Sequence, residues 1–245
     1  DYQKYVIIGT ARTGTTMLWS YLNSHPEILC LRGVFGATKK INFGKYYDTK
    51  PDECFDIELI KQRNTKPIEF IEKYVFKSYQ KKYKAVGLKY FYDHDRHFEN
   101  KSSLIDYFIE NKDIKFIHIK RKNLLKTLYS YKRALNNQNW HKQEKNEFKT
   151  ELTINECETY FNEIIKQQQR FDNLFFDRII QVNYEEFITK TSEILVNIQS
   201  FLGVSNQIQQ NEIKQNINKP LNQVILNFQK LKKHFNKTQF EPFFN

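Results

Sequence analysis

The sequence predicts an α/β domain, a central parallel sheet with helices on both faces, built as one domain over residues 1–245. Short apolar runs rich in β-branched residues recur along the chain, and stretches whose apolar residues fall at helical spacing alternate with them. No Gly/Ser/Pro-rich segment divides the chain, and 245 residues are enough for one substantial core.

The first unit is Tyr5 to Leu22, YVIIGTARTGTTMLWSYL. Val6, Ile7 and Ile8 read as a strand covered on both faces, and Gly9 ends it. From Gly14 onward Met17, Leu18, Tyr21 and Leu22 lie on one side of a helix. A strand, a tight loop and a helix N-terminus aim a row of backbone N–H groups at one spot, where the helix dipole also favours negative charge. A phosphate or sulfate fits there. Gly9 and Gly14 are separated by four residues, as in the P-loop of nucleotide hydrolases, but Thr15 and Thr16 follow where that motif has Lys and then Ser or Thr. The loop carries its cation inside, at Arg12.

The remaining elements follow in order. Asn23-Ser24-His25-Pro26 stops the first helix, and Ile28 to Leu31 is a second strand. Residues 36–66 read as loop with a short helix near Phe55 to Lys61, the acids Asp48, Asp52, Glu53 and Asp56 being solvated. Pro67 opens a helix whose apolar face runs through Ile68, Ile71, Tyr74, Val75 and Tyr79. Ala85 to Tyr90 is the next strand. Lys115 to Leu135, KFIHIKRKNLLKTLYSYKRAL, repeats the strand-to-helix pattern, with Phe116, Ile117 and Ile119 in the strand, Asn123 as N-cap and Leu124, Leu125, Leu128, Tyr131 and Leu135 on the helix face. Leu152 to Phe171 is a long helix, Arg178 to Tyr184 the last strand, and a helix through Ile194 to Leu202 ends at Gly203. Pro220 opens a final helix.

A formal charge of +11 and a pI near 9.3 point to an anionic partner. Cys30, Cys54 and Cys157 are widely spaced and form no CxxC pair, which argues against a zinc site or a disulfide framework and for a reducing compartment. No stretch approaches the length of a membrane span and no signal peptide is visible, so the expected location is cytoplasmic, although a chain trimmed of an anchor would look the same. Oligomeric state leaves no mark in the sequence.

The segment Arg12-Thr13-Gly14-Thr15-Thr16 resembles the 5′-phosphosulfate loop of sulfotransferases that use 3′-phosphoadenosine 5′-phosphosulfate (PAPS). Lys115 to Leu135 resembles the 3′-phosphate segment of the same family, with Ser130 as its serine. Its basic partner is Arg121 if aligned on the strand and Lys122 if counted back eight residues from Ser130; the bidentate grip of a guanidinium favours Arg121. Ala85 to Tyr90 resembles the family strand whose lysine, here Lys89, faces the bridging oxygen of the phosphosulfate. HPEILCLRGVFG resembles bacterial carbohydrate sulfotransferases of the nodulation-factor and trehalose type, but Val34 follows Gly33 where those enzymes carry a glutamate, the candidate base. His94, in the run Asp93-His94-Asp95, is the substitute base. VNYEEF resembles a late core segment, which assigns Tyr184 and Glu185 to packing. Lys214, Gln215 and Lys219 are candidates for contacts to the nucleotide.

The resemblance implies a metal-free sulfotransferase that moves a sulfuryl group from PAPS to a hydroxyl, on a carbohydrate or other small acceptor. Its donor would be held by Arg12, Thr13, Gly14, Thr15, Thr16, Arg121, Lys122, Ser130 and Lys214, and its chemistry carried by Arg12, Lys89 and His94. Three other readings stay open: a P-loop kinase of a small metabolite, a non-catalytic PAPS- or anion-binding protein and, ranked last, a nucleic-acid-binding module.

Overall fold

A computed structural model describes residues 1–36, 39–44, 53–98, 104–136, 148–208 and 219–245. Five strands form one parallel sheet: β1 (Gln3–Gly9), β2 (Ile28–Leu31), β5 (Ala85–Phe91), β6 (Lys115–Lys120) and β7 (Ile179–Asn183), in the order β2-β5-β1-β6-β7. The central strand β1 is buried from Tyr5 to Gly9, as its continuous apolar run requires. A two-residue antiparallel pair, β3 (Ile41–Asn42) with β4 (Glu53–Cys54), lies in the stretch expected to be loop.

Alternation along the strands divides the core. Val6, Ile8, Leu88, Tyr90 and Phe116 face one side, packed with residues of α2 (Ile57–Thr65), α3 (Pro67–Tyr74) and α4 (Leu104–Glu110). Tyr5, Ile7, Ile117 and Ile119 face the other, covered by α1 (Thr15–Asn23) and α8 (Thr191–Leu202). A third cluster joins α5 (Leu124–Asn136), α6 (Ile154–Leu174), α9 (Leu221–Val224), α10 (Phe228–Phe235) and a terminal turn at Glu241–Phe244. The short α7 (Tyr184–Phe187) follows β7 directly. The neighbouring strands β1 and β6 thus feed helices in different clusters, α1 and α5, and the crevice between their C-terminal ends is the switch point where ligands of open α/β sheets bind.

Several boundaries differ from expectation. The α3 helix stops at Tyr74, because the N–H of Phe76 reaches back to the Ile71 carbonyl and closes the last turn. The helix opened by Pro220 breaks after Val224: Ile225 is extended and bridges Thr150, and Asn227 both donates to the Leu152 carbonyl and accepts its N–H, so α10 starts afresh at Phe228. The Asn123 cap and the Gly203 stop are where they were expected: Asn123 Oδ1 accepts the Lys126 N–H, and Gly203 has φ 73°. All three cysteines are free and buried. Among the described residues no helix is long and apolar enough to cross a membrane.

Gly87 is required by its neighbour. A Cβ there would stand 2.4 Å from the carbonyl oxygen of Tyr5 and 2.6 Å from its ring. Gly87→Ala is expected to lower stability by about 3 kcal/mol, the upper part of the range for overpacked cores, read as a shift of the denaturation midpoint at unchanged slope.

Candidate functional site

The loop after β1 and the loop after β6 meet at the switch point. Arg12 adopts a left-handed backbone with φ 70°, a conformation that costs a non-glycine residue energy and is kept only where the surroundings impose it. Its Nε donates to Ser130 Oγ at 3.0 Å, and its carbonyl accepts from Arg121 Nη1 at 3.3 Å. Gly14, at φ 90°, turns the chain into α1. Thr13 Oγ1 donates to the Thr10 carbonyl at 2.8 Å, so its hydroxyl shapes the loop and its N–H remains for a ligand. Thr15 is buried, and Thr16 Oγ1 accepts from Lys89 Nζ at 3.2 Å. The residues predicted for the two halves of the donor site therefore converge.

Arg121 and Lys122 point to different places. Arg121 is 8% exposed; its Nη1 turns toward Arg12, and its Nε is buried without a hydrogen-bond partner, facing Glu185. Lys122 is exposed and pairs with Glu186 at 2.5 Å, away from Arg12. Arg133, which the sequence places only in a basic run with Lys126 and Lys132 open to a nucleic-acid reading, lies one turn beyond Ser130 on α5 and is close enough to weigh on both Arg12 and Arg121. Burial first, then these like charges, lowers the pKa of Arg12.

Tyr184 and Glu185, assigned to packing, act on the site as well. The Tyr184 ring lies 4.9 Å from the Arg121 guanidinium and against Gly14, where a Cβ would meet it at 2.4 Å. Glu185 accepts the N–H of Lys122 at 3.0 Å and stands 3.9 Å from Arg121 Nε. These two residues wedge the β6 loop against the phosphate loop. Sequence spacing gives no sign of this, because some 60 residues separate them from Arg121.

Lys89 is 6% exposed. Its pKa is pushed down to about 7 by burial first, then by Arg32 and Arg12, with Cys30 opposing. His94 is buried, its Nδ1 accepting the N–H of Phe91 at 3.2 Å and its ring packed edge-on to Tyr90. Val34 is wholly buried with Phe35 in the apolar cluster under the sheet, so a side chain at that position faces the core. Lys214 and Gln215 lie outside the described residues, as do Asp48 and Asp52; Lys219 is exposed. Among the described residues no group of three or more His, Cys, Asp or Glu could hold a metal ion.

Taken together, backbone N–H groups at a helix start, three arginines and a buried ammonium make a trap for a polyanion carrying two separate phosphate-like groups. Comparison with known proteins agrees in kind. A family model described as "Sulfotransferase family" matches residues 5–207. Nodulation protein H of Rhizobium tropici is 25% identical over 249 residues, covering 99% of this chain and 93% of that protein. Nodulation protein H of Rhizobium meliloti (strain 1021) is 25% identical over 255 residues, covering 99% and 95%. A sulfotransferase structure from Alicyclobacillus acidocaldarius shares the fold, with TM-score 0.54 and 15% identity over 96% of this chain and 91% of that one.

The depressed pKa of Lys89 has a stability consequence. Between about pH 7 and its ordinary pKa near 10.4, the unfolded chain holds a proton at Lys89 that the folded chain releases, so folding is favoured as pH rises through this window. Lys89→Met removes the dependence. The ligand-free variant is expected to exceed the wild type in stability by a margin that grows as pH falls from 10 to 7 and is constant below, measured by urea denaturation across pH.

Proposed function

This chain belongs to the sulfotransferase family, and from that premise we propose that it transfers the sulfuryl group of PAPS to a hydroxyl of a carbohydrate. Sulfuryl transfer is the family's activity; the donor, the acceptor class and the residue roles are our reading. The observation that carries it is the contact between Arg12 and Ser130, 118 residues apart, beside Arg121, which donates to the Arg12 carbonyl.

In this reading the N–H groups of Thr13 to Thr16 and the Arg12 guanidinium bind the 5′-phosphosulfate. Arg121, Ser130 and Arg133 bind the 3′-phosphate. Lys89, within hydrogen-bond distance of Thr16 at the helix start, donates to the bridging oxygen as the S–O bond breaks and charge builds on the departing phosphate. An ammonium with a pKa near 7 in the empty site gains its proton firmly once the donor's negative charge arrives. The acceptor hydroxyl attacks sulfur in line and gives up its proton. His94 is the base we carry forward; because its Nδ1 accepts the Phe91 N–H, the neutral ring holds its own proton on Nε2, and it takes the acceptor's proton on Nδ1 only once that bond is released. The carbohydrate acceptor is drawn from the likeness to the nodulation proteins and from the resemblance of HPEILCLRGVFG to carbohydrate sulfotransferases.

The test is incorporation of radiolabelled sulfuryl from PAPS into N-acetylglucosamine oligomers and other small glycosides. Wild type is expected to yield labelled product, and Lys89→Met to lower kcat by roughly 10²–10³, as for loss of one charge-stabilising donor, while leaving adenosine 3′,5′-bisphosphate affinity within about threefold. Background incorporation into every glycoside by folded enzyme that binds adenosine 3′,5′-bisphosphate in a separate titration would refute the carbohydrate reading.

A further inference from the structure

The C-terminal edge of the sheet carries another cation, on the far side of β1 from Arg121. Arg32 directly follows β2, and because Leu31 pairs with Leu88, Arg32 stands level with Lys89 on the adjacent strand. Its guanidinium lies over the indole of Trp19, 5.1 Å from the ring centroid. Trp19 is itself fixed by a 2.7 Å bond from Nε1 to the Cys30 carbonyl, and the Arg32 N–H donates to the Phe43 carbonyl at 3.3 Å. Arg32 is thus a half-buried guanidinium held against an aromatic wall at the mouth of the site.

Its charge weighs on Lys89 more than that of Arg12 does. Lys89 donates to Thr16 and makes no ion pair among the described residues. Two like charges side by side repel each other, and an anion seated next to them relieves that repulsion. The donor reading above engages Arg12, Arg121 and Ser130 on the β1–β6 side and reaches Lys89 on β5, which leaves the end of the edge strand β2, where Arg32 stands, to the acceptor.

We propose that Arg32 selects the acceptor: it pairs with a carboxylate or sulfate that the acceptor itself carries near the hydroxyl to be sulfated, so that anionic sugars are preferred to neutral ones. A planar guanidinium suits that task, since it can bind a carboxylate through two parallel hydrogen bonds while the indole holds its plane. The proposal rests on the donor reading of the preceding section and adds to it the charge of the acceptor.

The experiment compares methyl β-glucuronide with methyl β-glucoside, which differ in the carboxylate, as ligands of the enzyme saturated with adenosine 3′,5′-bisphosphate. Wild type is expected to bind the glucuronide at least tenfold more tightly. In Arg32→Gln the preference falls below twofold, in Arg32→Lys it is partly kept, and bisphosphate affinity is unchanged in both. Equal binding of the two glycosides by wild type, or a preference that survives Arg32→Gln, overturns the proposal. So does a variant that loses affinity for PAPS but not for the bisphosphate and keeps the glucuronide preference, because Arg32 then serves the donor's sulfuryl group. The donor reading fails separately, by absence of bisphosphate saturation in wild type, and the proposal falls with it.

Discussion

The hydrogen bond from Arg12 to Ser130 is the contact on which the site depends, because it ties the loop after β1 to the helix after β6 across 118 residues of sequence. Close approach of backbones makes it possible. A Cβ at Gly9 would stand 2.8 Å from the Ile119 carbonyl, and one at Gly14 would meet Tyr184. The loop after β1 can therefore lie against β6 only because both positions lack a side chain. Tyr184 fills the remaining space and holds Arg121 by its ring face, so the strained backbone of Arg12 is braced from two sides.

That arrangement is electrostatically costly without a ligand. Arg12, Arg121 and Arg133 repel one another, and Lys89 feels both Arg32 and Arg12. Glu185 offsets part of this beside Arg121, without engaging the buried Nε in a hydrogen bond. Cations held close together by packing are preorganised for an anion and need little rearrangement when it arrives. Elsewhere buried charges bond to backbone carbonyls and to one another, although the Nε of Arg178, like that of Arg121, has no hydrogen-bond partner. Arg178 caps the end of α4 by donating to the carbonyls of Phe108 and Ile114, and His118, wholly buried, is held between the Tyr92 hydroxyl at 2.6 Å and Asp172 at 2.8 Å. Burial and Lys120 lower the His118 pKa while Asp172 opposes them.

Much of the frame was legible because local and global signals agree. The apolar runs of β1, β5 and β6 are strands buried on both faces, and the glycine and threonine pattern at residues 9–16 marks a phosphate loop wherever it falls between strand and helix. What stayed hidden depends on contacts distant in sequence. The break after Val224 comes from Thr150 and Leu152, and the role of Tyr184 from its position against Gly14. The choice between Arg121 and Lys122 turned on direction: adjacent residues leaving a strand point to opposite sides, one toward Arg12 and one toward Glu186. Spacing alone does not show which of the two turns toward Arg12.

The central claim is that one crevice holds both ends of a nucleotide phosphorylated at its 3′ and 5′ positions. Calorimetric titration with adenosine 3′,5′-bisphosphate and with adenosine 5′-monophosphate tests it most directly. The account predicts that wild type prefers the bisphosphate by at least about 10²-fold, the scale of one or two charge-assisted contacts, and that Arg121→Ala and Ser130→Ala each erode this preference without weakening the monophosphate. Equal affinity for the two nucleotides, or a preference untouched by both variants, would contradict it.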